Sequence, residues 1–306
     1  GPTSVDSASG ALPIYNTTGT YGDTKGSGTR TDSNSSSIVL AIPMDGANNG
    51  TTFTDESATI KGSGSAKAIT RYGDTKTSTT QAKYYGSSGY FDGTGDYLTV
   101  AVGTDTQFGT GDFTAEWHLY YTGSTSGLGG HILDFRGSNN GAHVYYVNNG
   151  RIYWTNDNVS GDIDTGAAVN ANAWTHWAFS RSSGTYRLFR DGVLVYSVAN
   201  SDNIPSNSTF YIANRFTNSS QLAGYIQDLR IYKGVAKYTS NFNPPRSTQN
   251  ASVASGCDSL VDSPTNGTAS SGGDAGGVVV GNYCCWNPIG TTSPIGTLSN
   301  GNLDFV

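Results

Sequence analysis

The chain has 306 residues, of which 41 are glycine and 13% are charged, and a formal net charge of −6. With no run of lysine or arginine there is no electrostatic footprint for nucleic acid. No stretch approaches the roughly 18 apolar residues of a membrane-spanning helix, and the first ten residues carry no basic and apolar pattern of a secretory signal. Good helix formers are scarce, and only two of the 23 acids are glutamates, Glu56 and Glu116. Gly, Ser, Thr, Asn and Tyr dominate instead, which predicts a β-rich chain with many turns and polar linkers.

In chain order, residues 1–37 read as an extended arm with one apolar island, Leu12-Pro13-Ile14-Tyr15. Ile38 to Ile42 is a short apolar run stopped by Pro43, as a buried strand would be. Gly89 to Gly93 and Asp96 to Val100 are two strand pieces around a Gly-Thr-Gly turn. Phe113, Ala115, Trp117, Leu119 and Tyr121 alternate with Thr114, Glu116, His118 and Tyr120, the period of a half-buried strand. His143 to Val147 and Arg151 to Trp154 flank Asn148-Asn149-Gly150, a hairpin turn. Trp174 to Arg181, Tyr186 to Arg190, Val193 to Val198, Thr209 to Asn214 and Ala223 to Tyr232 complete a series of at least nine strands. Two packed antiparallel sheets are expected over 38–245. Asn243-Pro244-Pro245 is a stop signal, 246–280 reads as a Gly/Ser-rich linker, and 281–306 reads as the start of a further β domain in a longer protein.

Several of these segments resemble a known family. Ile42 to Gly46, Tyr90 to Leu98, Phe108 to Thr114, Asn172 to Ala178, Phe189 to Val193 and Gly224 to Tyr232 are similar, in order, to the laminin-G-like, concanavalin A-like module. The resemblance implies an all-β antiparallel jelly-roll sandwich with extended N- and C-terminal arms. The flanks, Leu12 to Thr18 and Gly281 to Pro288 with Thr297 to Asp304, resemble segments of marine bacteriophage tail-fibre and virion structural proteins. That second resemblance implies a virion or extracellular protein that contacts a host-surface glycan or other virion proteins. Such fibres are commonly trimeric, so a homo-oligomer is expected by analogy.

The residues themselves argue against catalysis. Glycosidases need two carboxylates flanking the bond to be cleaved, and neither glutamate sits in a Glu-x-Asp-x-x-Glu string. No Gly-x-Ser-x-Gly elbow is present. His118, His131, His143 and His176 stand on or beside strands among aromatics and read as ordinary strand histidines, a zinc site being the alternative. Trp117, Phe113, Trp177, Phe179, Phe91 and Tyr225 alternate with polar residues and read as core. The 143–154 hairpin differs, because Tyr145, Tyr146, Tyr153 and Trp154 put aromatics on both of its faces. One face must then be exposed, where it would stack on a sugar ring, or cover a neighbouring subunit.

Two loops combine arginine with asparagine, Arg136-Gly137-Ser138-Asn139-Asn140 and Asn214-Arg215-Phe216-Thr217-Asn218. With Tyr146 or Trp154 as a stacking plate, Arg136, Asn139, Asn140, Asn214, Arg215 and Phe216 form the expected ligand site. In laminin-G-like modules one Ca²⁺ often sits at the rim, and the resemblance places it at Asp45, the Gly46 carbonyl and Asp228. The three cysteines, Cys257, Cys284 and Cys285, lie late in the chain and read as free thiols, a bridge from Cys257 being the alternative.

Overall fold

The strand Phe113–Tyr121 sets the centre of the molecule. Phe113, Ala115, Trp117, Leu119 and Tyr121 are buried in one large apolar cluster, and the intervening Thr114, Glu116 and His118 face the other way. A computed structural model describes residues 32, 34–83, 86–136, 143–156, 160–205 and 207–242, with the short strands Thr297–Ser299 and Asn302–Asp304.

The expected pair of antiparallel sheets is present. The first sheet runs, in spatial order, β13 (Val193–Ala199), β12 (Thr185–Arg190), β11 (Trp174–Ser182), β6 (Phe113–Tyr121), β15 (Ala223–Lys233), β4 (Ser88–Asp92) and β3 (Lys76–Ser78), with β1 (Ile38–Ile42) also on β15. The second runs β10 (Ser160–Ala168), β9 (Arg151–Asn156), β8 (His143–Asn148), β7 (Leu128–Asp134), β14 (Thr209–Ile212), β5 (Tyr97–Ala101) and β2 (Ile69–Tyr72). The strands Thr297–Ser299 and Asn302–Asp304 are β16 and β17, a separate hairpin. The one α-helix among the described residues, α1, spans five residues, Ser57–Lys61. This is a concanavalin A-like jelly-roll sandwich.

Between the sheets, Trp117, Trp177, Phe179 and Tyr186 of the first meet Tyr145, Trp154, Phe135 and Phe210 of the second. Tyr145 lies 4.6 Å from Phe179, and Trp154 lies 5.1 Å from Tyr186, ring centre to ring centre. Each of these large rings stabilises the sandwich by roughly 2–3 kcal/mol through apolar burial alone. Tyr225 departs from the expectation of a core residue. It pairs with Tyr120 and Tyr90 on the outer face of the first sheet, and its ring packs on theirs.

β15 is the strand on which the first sheet depends. Its first half pairs with β4, its second half with β1, and its whole length with β6. A bulge between Gln227 and Arg230 lets it do so, since Asp228 takes a left-handed φ of 52° and the register with β6 shifts there. Without that extra residue, Leu229 and Ile231 would turn out of the core.

Four strands were not legible beforehand. β2 and β3 are only four and three residues long, β7 opens on Leu128-Gly129-Gly130, and β10 (Ser-Gly-Asp-Ile-Asp-Thr-Gly-Ala-Ala) has almost no apolar side. All three cysteines lie outside the described residues.

Candidate functional site

The outer faces of the two sheets are built differently. On the first sheet, the segment after β15 folds back over Glu116 and His176. Lys237 Nζ donates to Glu116 Oε1 at 2.7 Å, to the Tyr232 hydroxyl at 3.1 Å and to Asp32 Oδ2 at 3.3 Å. The Tyr238 hydroxyl donates to Glu116 Oε2 at 2.7 Å, and His176 Nε2 lies 3.3 Å from that oxygen. Tyr238 in turn stacks on Phe242, with ring centres 3.5 Å apart. Burial alone would raise the Glu116 pKa, but the Lys237 ammonium and the His176 contact outweigh it and hold it well below the usual carboxylate range. Lys237 is held above its ordinary value despite burial, chiefly by Glu116. Glu116 is therefore an enclosed structural group that favours its ionised form. Asp32, assigned from sequence to the arm, is part of the same cluster and accepts from the Tyr232 hydroxyl at 2.5 Å.

The outer face of the second sheet opens into a depression of about 220 Å³, lined by Leu128 and His131 of β7, Tyr146 and Asn148 of β8, Thr155 of β9, Asp162 of β10, and Arg136 and Arg215. Strand pairing places His131 directly opposite Tyr146, and their rings stack with centres 5.2 Å apart. Tyr146 also pairs with Tyr153 across β8 and β9.

Buried polar atoms around this opening lack partners. His131 Nδ1, the Tyr146 hydroxyl and Arg215 Nε have no hydrogen bond, nor does Oδ1 of the neighbouring Asn214. The Tyr146 hydroxyl lies near the Asp162 carboxylate, outside hydrogen-bond geometry; burial first, then that carboxylate, raise its pKa far above the phenol value. Burial, followed by the cations Arg136 and Arg215, lowers the His131 pKa to about 3, so its imidazole is neutral and can either donate or accept. Unpartnered buried atoms occur elsewhere, for example the indole Nε1 of Trp174 and His176 Nδ1. What sets His131, Tyr146 and Arg215 apart is that all three line an open depression. An orphaned buried polar atom costs about 1–3 kcal/mol unless something else satisfies it.

Of the residues expected at the ligand site, Arg136, Tyr146 and Arg215 come together here. Phe216 stands beside them, its ring 4.9 Å from the Arg136 guanidinium and 5.9 Å from that of Arg215. Trp154 does not join them. It points into the core and is fully buried, because in the β8–β9 register it pairs with Tyr145 while Tyr146 pairs with Tyr153. The two faces of the hairpin are thus one core face and one outer face. Arg136 is not an exposed loop donor either. It is 2% exposed, and its Nε and Nη2 each donate to a different oxygen of the Asp134 carboxylate at 2.9 Å. Asn214 is fully buried and donates to Asn218 Oδ1 at 3.3 Å. Asn139 and Asn140 lie outside the described residues.

Of the expected calcium positions, Asp228 donates its backbone N–H to the Pro43 carbonyl at 3.2 Å, two residues before Asp45. Asp228 Oδ1 accepts from Nε and Nη2 of Arg230, both at 3.0 Å, so its buried carboxylate already has a cationic partner. Gly46 lies on the exposed loop after β1 with its N–H on the Ser87 hydroxyl, and the Asp45 side chain is part-exposed. Among the described residues no three His, Cys, Asp or Glu side chains group as a metal site would.

Sequence reasoning missed His131, Asp134, Asp162 and the framing residues Leu128, Asn148 and Thr155. The Asp134-Phe135-Arg136 triplet was the available signal, since two charges flanking a core residue at strand spacing share a face. Asp134 also accepts the Phe216 backbone N–H at 3.1 Å, which ties the second loop to β7.

Residues 92–238 match the family described as the concanavalin A-like lectin/glucanases superfamily. Among solved structures, the binding domain of botulinum neurotoxin serotype D aligns with a TM-score of 0.51 at 15% identity, over 67% of this chain and 50% of that one. A botulinum neurotoxin type C structure, whose cell entry is described as dependent on two ganglioside molecules, gives 0.51 at 13% identity over 67% and 50%. The binding domain of botulinum neurotoxin DC in complex with SialylT gives 0.50 at 14% identity over 66% and 49%. This chain thus spans about half the length of the structures it matches, and at these identities the likeness is one of fold. No curated protein matches it in sequence. In fold, the described body is a concanavalin A-like β-sandwich, and its residues 92–238 are similar to that superfamily.

Proposed function

We propose that the chain is a non-catalytic carbohydrate-binding module whose ligand sits in the depression between β7, β8, β9 and β10. The observation that carries this reading is the set of unpartnered polar atoms at its lining, His131 Nδ1, Tyr146 Oη and Arg215 Nε. They combine a donor with groups able to donate or accept, which suits hydroxyls, each of which does both. Formal charge points the same way. Arg136 and Arg215 are offset by Asp134 and Asp162, and His131 is neutral, so the site favours a neutral sugar over an anion. The glycan ligands named for two of the similar structures support carbohydrate as the ligand class, while the preference for a neutral sugar rests on the charges of this site alone.

Hydrolysis fits the residues poorly. Among the described residues Asp162 is the one carboxylate lining the depression, Asp134 is held by Arg136, and Glu116 is enclosed on the other sheet. The described residues of this site therefore do not supply the pair of free carboxylates that hydrolysis needs.

We infer further that the module serves attachment of a virion appendage to a host-cell glycan outside the cell; the flanking segments are the support for this. The second reading is a protein contact through the edge of β13, where Val193 is 53% and Leu194 39% exposed. A glycan array with the folded protein, run beside host-cell adsorption, tests both. The expected result is binding of neutral glycans with a Kd of about 0.1–1 mM, lost in Arg215→Ala. Adsorption without any glycan binding would replace the first reading with the second.

A further inference from the structure

The outer face of the second sheet does not end at the depression. Strand pairing carries it from Tyr146 on β8 to His131 and Asp134 on β7, then to Tyr211 on β14, opposite Asp134, and to Thr99 on β5. Thr70 and Tyr72 on β2 follow, opposite Thr99 and Tyr97. At that far end Tyr72 and Tyr97 lie parallel, with ring centres 4.3 Å apart and planes within 5°. Tyr72 is 40% exposed, one of the few large exposed rings of the described residues, and Tyr97 and Tyr211 are half-buried beside it. After burial itself, Asp134 and Tyr72 are what raise the Tyr211 pKa, which puts all three in one neighbourhood.

The elements joining the two ends are polar on this face, and their charged groups, Asp134 and Arg136, are buried and paired with each other. Thr70 and Thr99 offer hydroxyls beside the tyrosines, in the row that Tyr211 heads. The Asp134–Arg136–Phe216 group sits at the junction, since Asp134 faces Tyr211 across the strand pair and also holds Arg136 at the depression. From β8 to β2 is four strand steps, roughly 19 Å at the usual spacing between strands. One sugar ring cannot bridge that distance, whereas a chain of several rings can.

We propose that Tyr72, Tyr97 and Tyr211 form a second subsite, and that the ligand is a chain of several linked neutral sugar residues lying obliquely across the strands from the depression to this plate. The depression takes hydroxyls through polar atoms, and Tyr72 presents a flat apolar face to a ring further along. The proposal rests on the carbohydrate reading of the depression but makes a separate claim about ligand length.

The test uses the chain as it stands and neutral oligosaccharides of graded length, from disaccharide to octasaccharide, immobilised in several linkages. For whichever linkage binds, the longer members should bind roughly tenfold tighter than the disaccharide. Tyr72→Ala should return long chains to the disaccharide level, and Tyr72→Trp should restore them. Because Tyr72 is exposed at a sheet edge, these variants should melt within a few degrees of the parent; Tyr97→Ser supplies an independent check. Affinity independent of length, or long-chain binding unaffected by both Tyr72→Ala and Tyr97→Ser, overturns the second subsite and leaves the depression standing. If no neutral oligosaccharide of any length binds, the reading of the depression fails and this inference falls with it.

Discussion

The two outer faces of the sandwich bury polar groups to opposite ends. On the first sheet Glu116 is enclosed, and each of its oxygens has a donor: Lys237 on one, Tyr238 and His176 on the other. On the second sheet His131 and Tyr146 are buried and Arg215 half-buried, yet each keeps a buried polar atom without a partner beside an opening. Burying a charge is tolerable when its partners are buried with it. An unpaired polar atom lining a depression is a standing cost that a ligand relieves. The difference separates groups that hold the fold from groups left for binding, although both sets read alike in sequence.

The comparison can be broken most sharply at Lys237. Lys237→Met should destabilise the protein by about 3–5 kcal/mol, because Glu116 is left ionised, enclosed and short of its cation. Urea denaturation measures this, and a loss below about 1 kcal/mol would mean the network is incidental. A Glu116→Gln, Lys237→Met double variant should lose much less than the sum of its singles.

Arg136 and Arg215 divide the second face in the same manner. Arg136→Ala strands the Asp134 carboxylate, whose burial already raises its pKa even with Arg136 beside it. A loss of about 3 kcal/mol is expected, whereas Arg215→Ala should change stability by about 0.5 kcal/mol or less while removing glycan binding. An alanine triple at Arg136, Arg215 and Phe216, the variant that sequence alone recommends, would therefore confuse unfolding with lost binding.

His131 supplies a pH signature. Its folded pKa of about 3 lies below the unfolded value near 6.5, so the unfolded chain binds the extra proton between those values. Its contribution to stability is complete above about pH 6.5 and declines as pH falls towards 3. Glu116, with a lowered pKa, adds its own loss only below the ordinary glutamate range. Melting curves from pH 7 to 5 should thus slope less in His131→Asn than in the parent. Equal slopes would place His131 in contact with water.

The smallest expected effect on stability is that of Tyr146→Phe. Removing a buried hydroxyl that has no hydrogen bond should leave the melting temperature unchanged or slightly higher, while glycan affinity falls. A clear drop in melting temperature would show that the hydroxyl is already satisfied.

The sheet architecture was legible because alternation is a local property. Phe113 to Tyr121 announces its two faces without help from any other strand. The site was only half legible. Arginine beside asparagine picked out the two loops that meet at the depression, but nothing local revealed that Arg136 would be claimed by Asp134. Trp154 and Tyr146 were indistinguishable as aromatics of one hairpin until register assigned one to each face. His131 looked like any strand histidine, because its importance comes from Tyr146 on β8 and Arg215 beyond β14, both remote in sequence. β2, with Tyr72, is four residues long and mostly exposed, too short for a period to declare itself.

β15 has a consequence in time as well as in space. Three strands, β1, β4 and β6, find a partner in it, and β1 lies about 190 residues upstream of it in the chain. During synthesis β1 and β4 must wait, with open edges, until residue 233 has left the ribosome. Pairings of such long sequence separation close slowly, so the nascent chain passes through a vulnerable interval in which those edges can meet the wrong strand. A chain cut before Ala223 would remain in that interval indefinitely, and is expected to aggregate rather than to form a smaller sandwich.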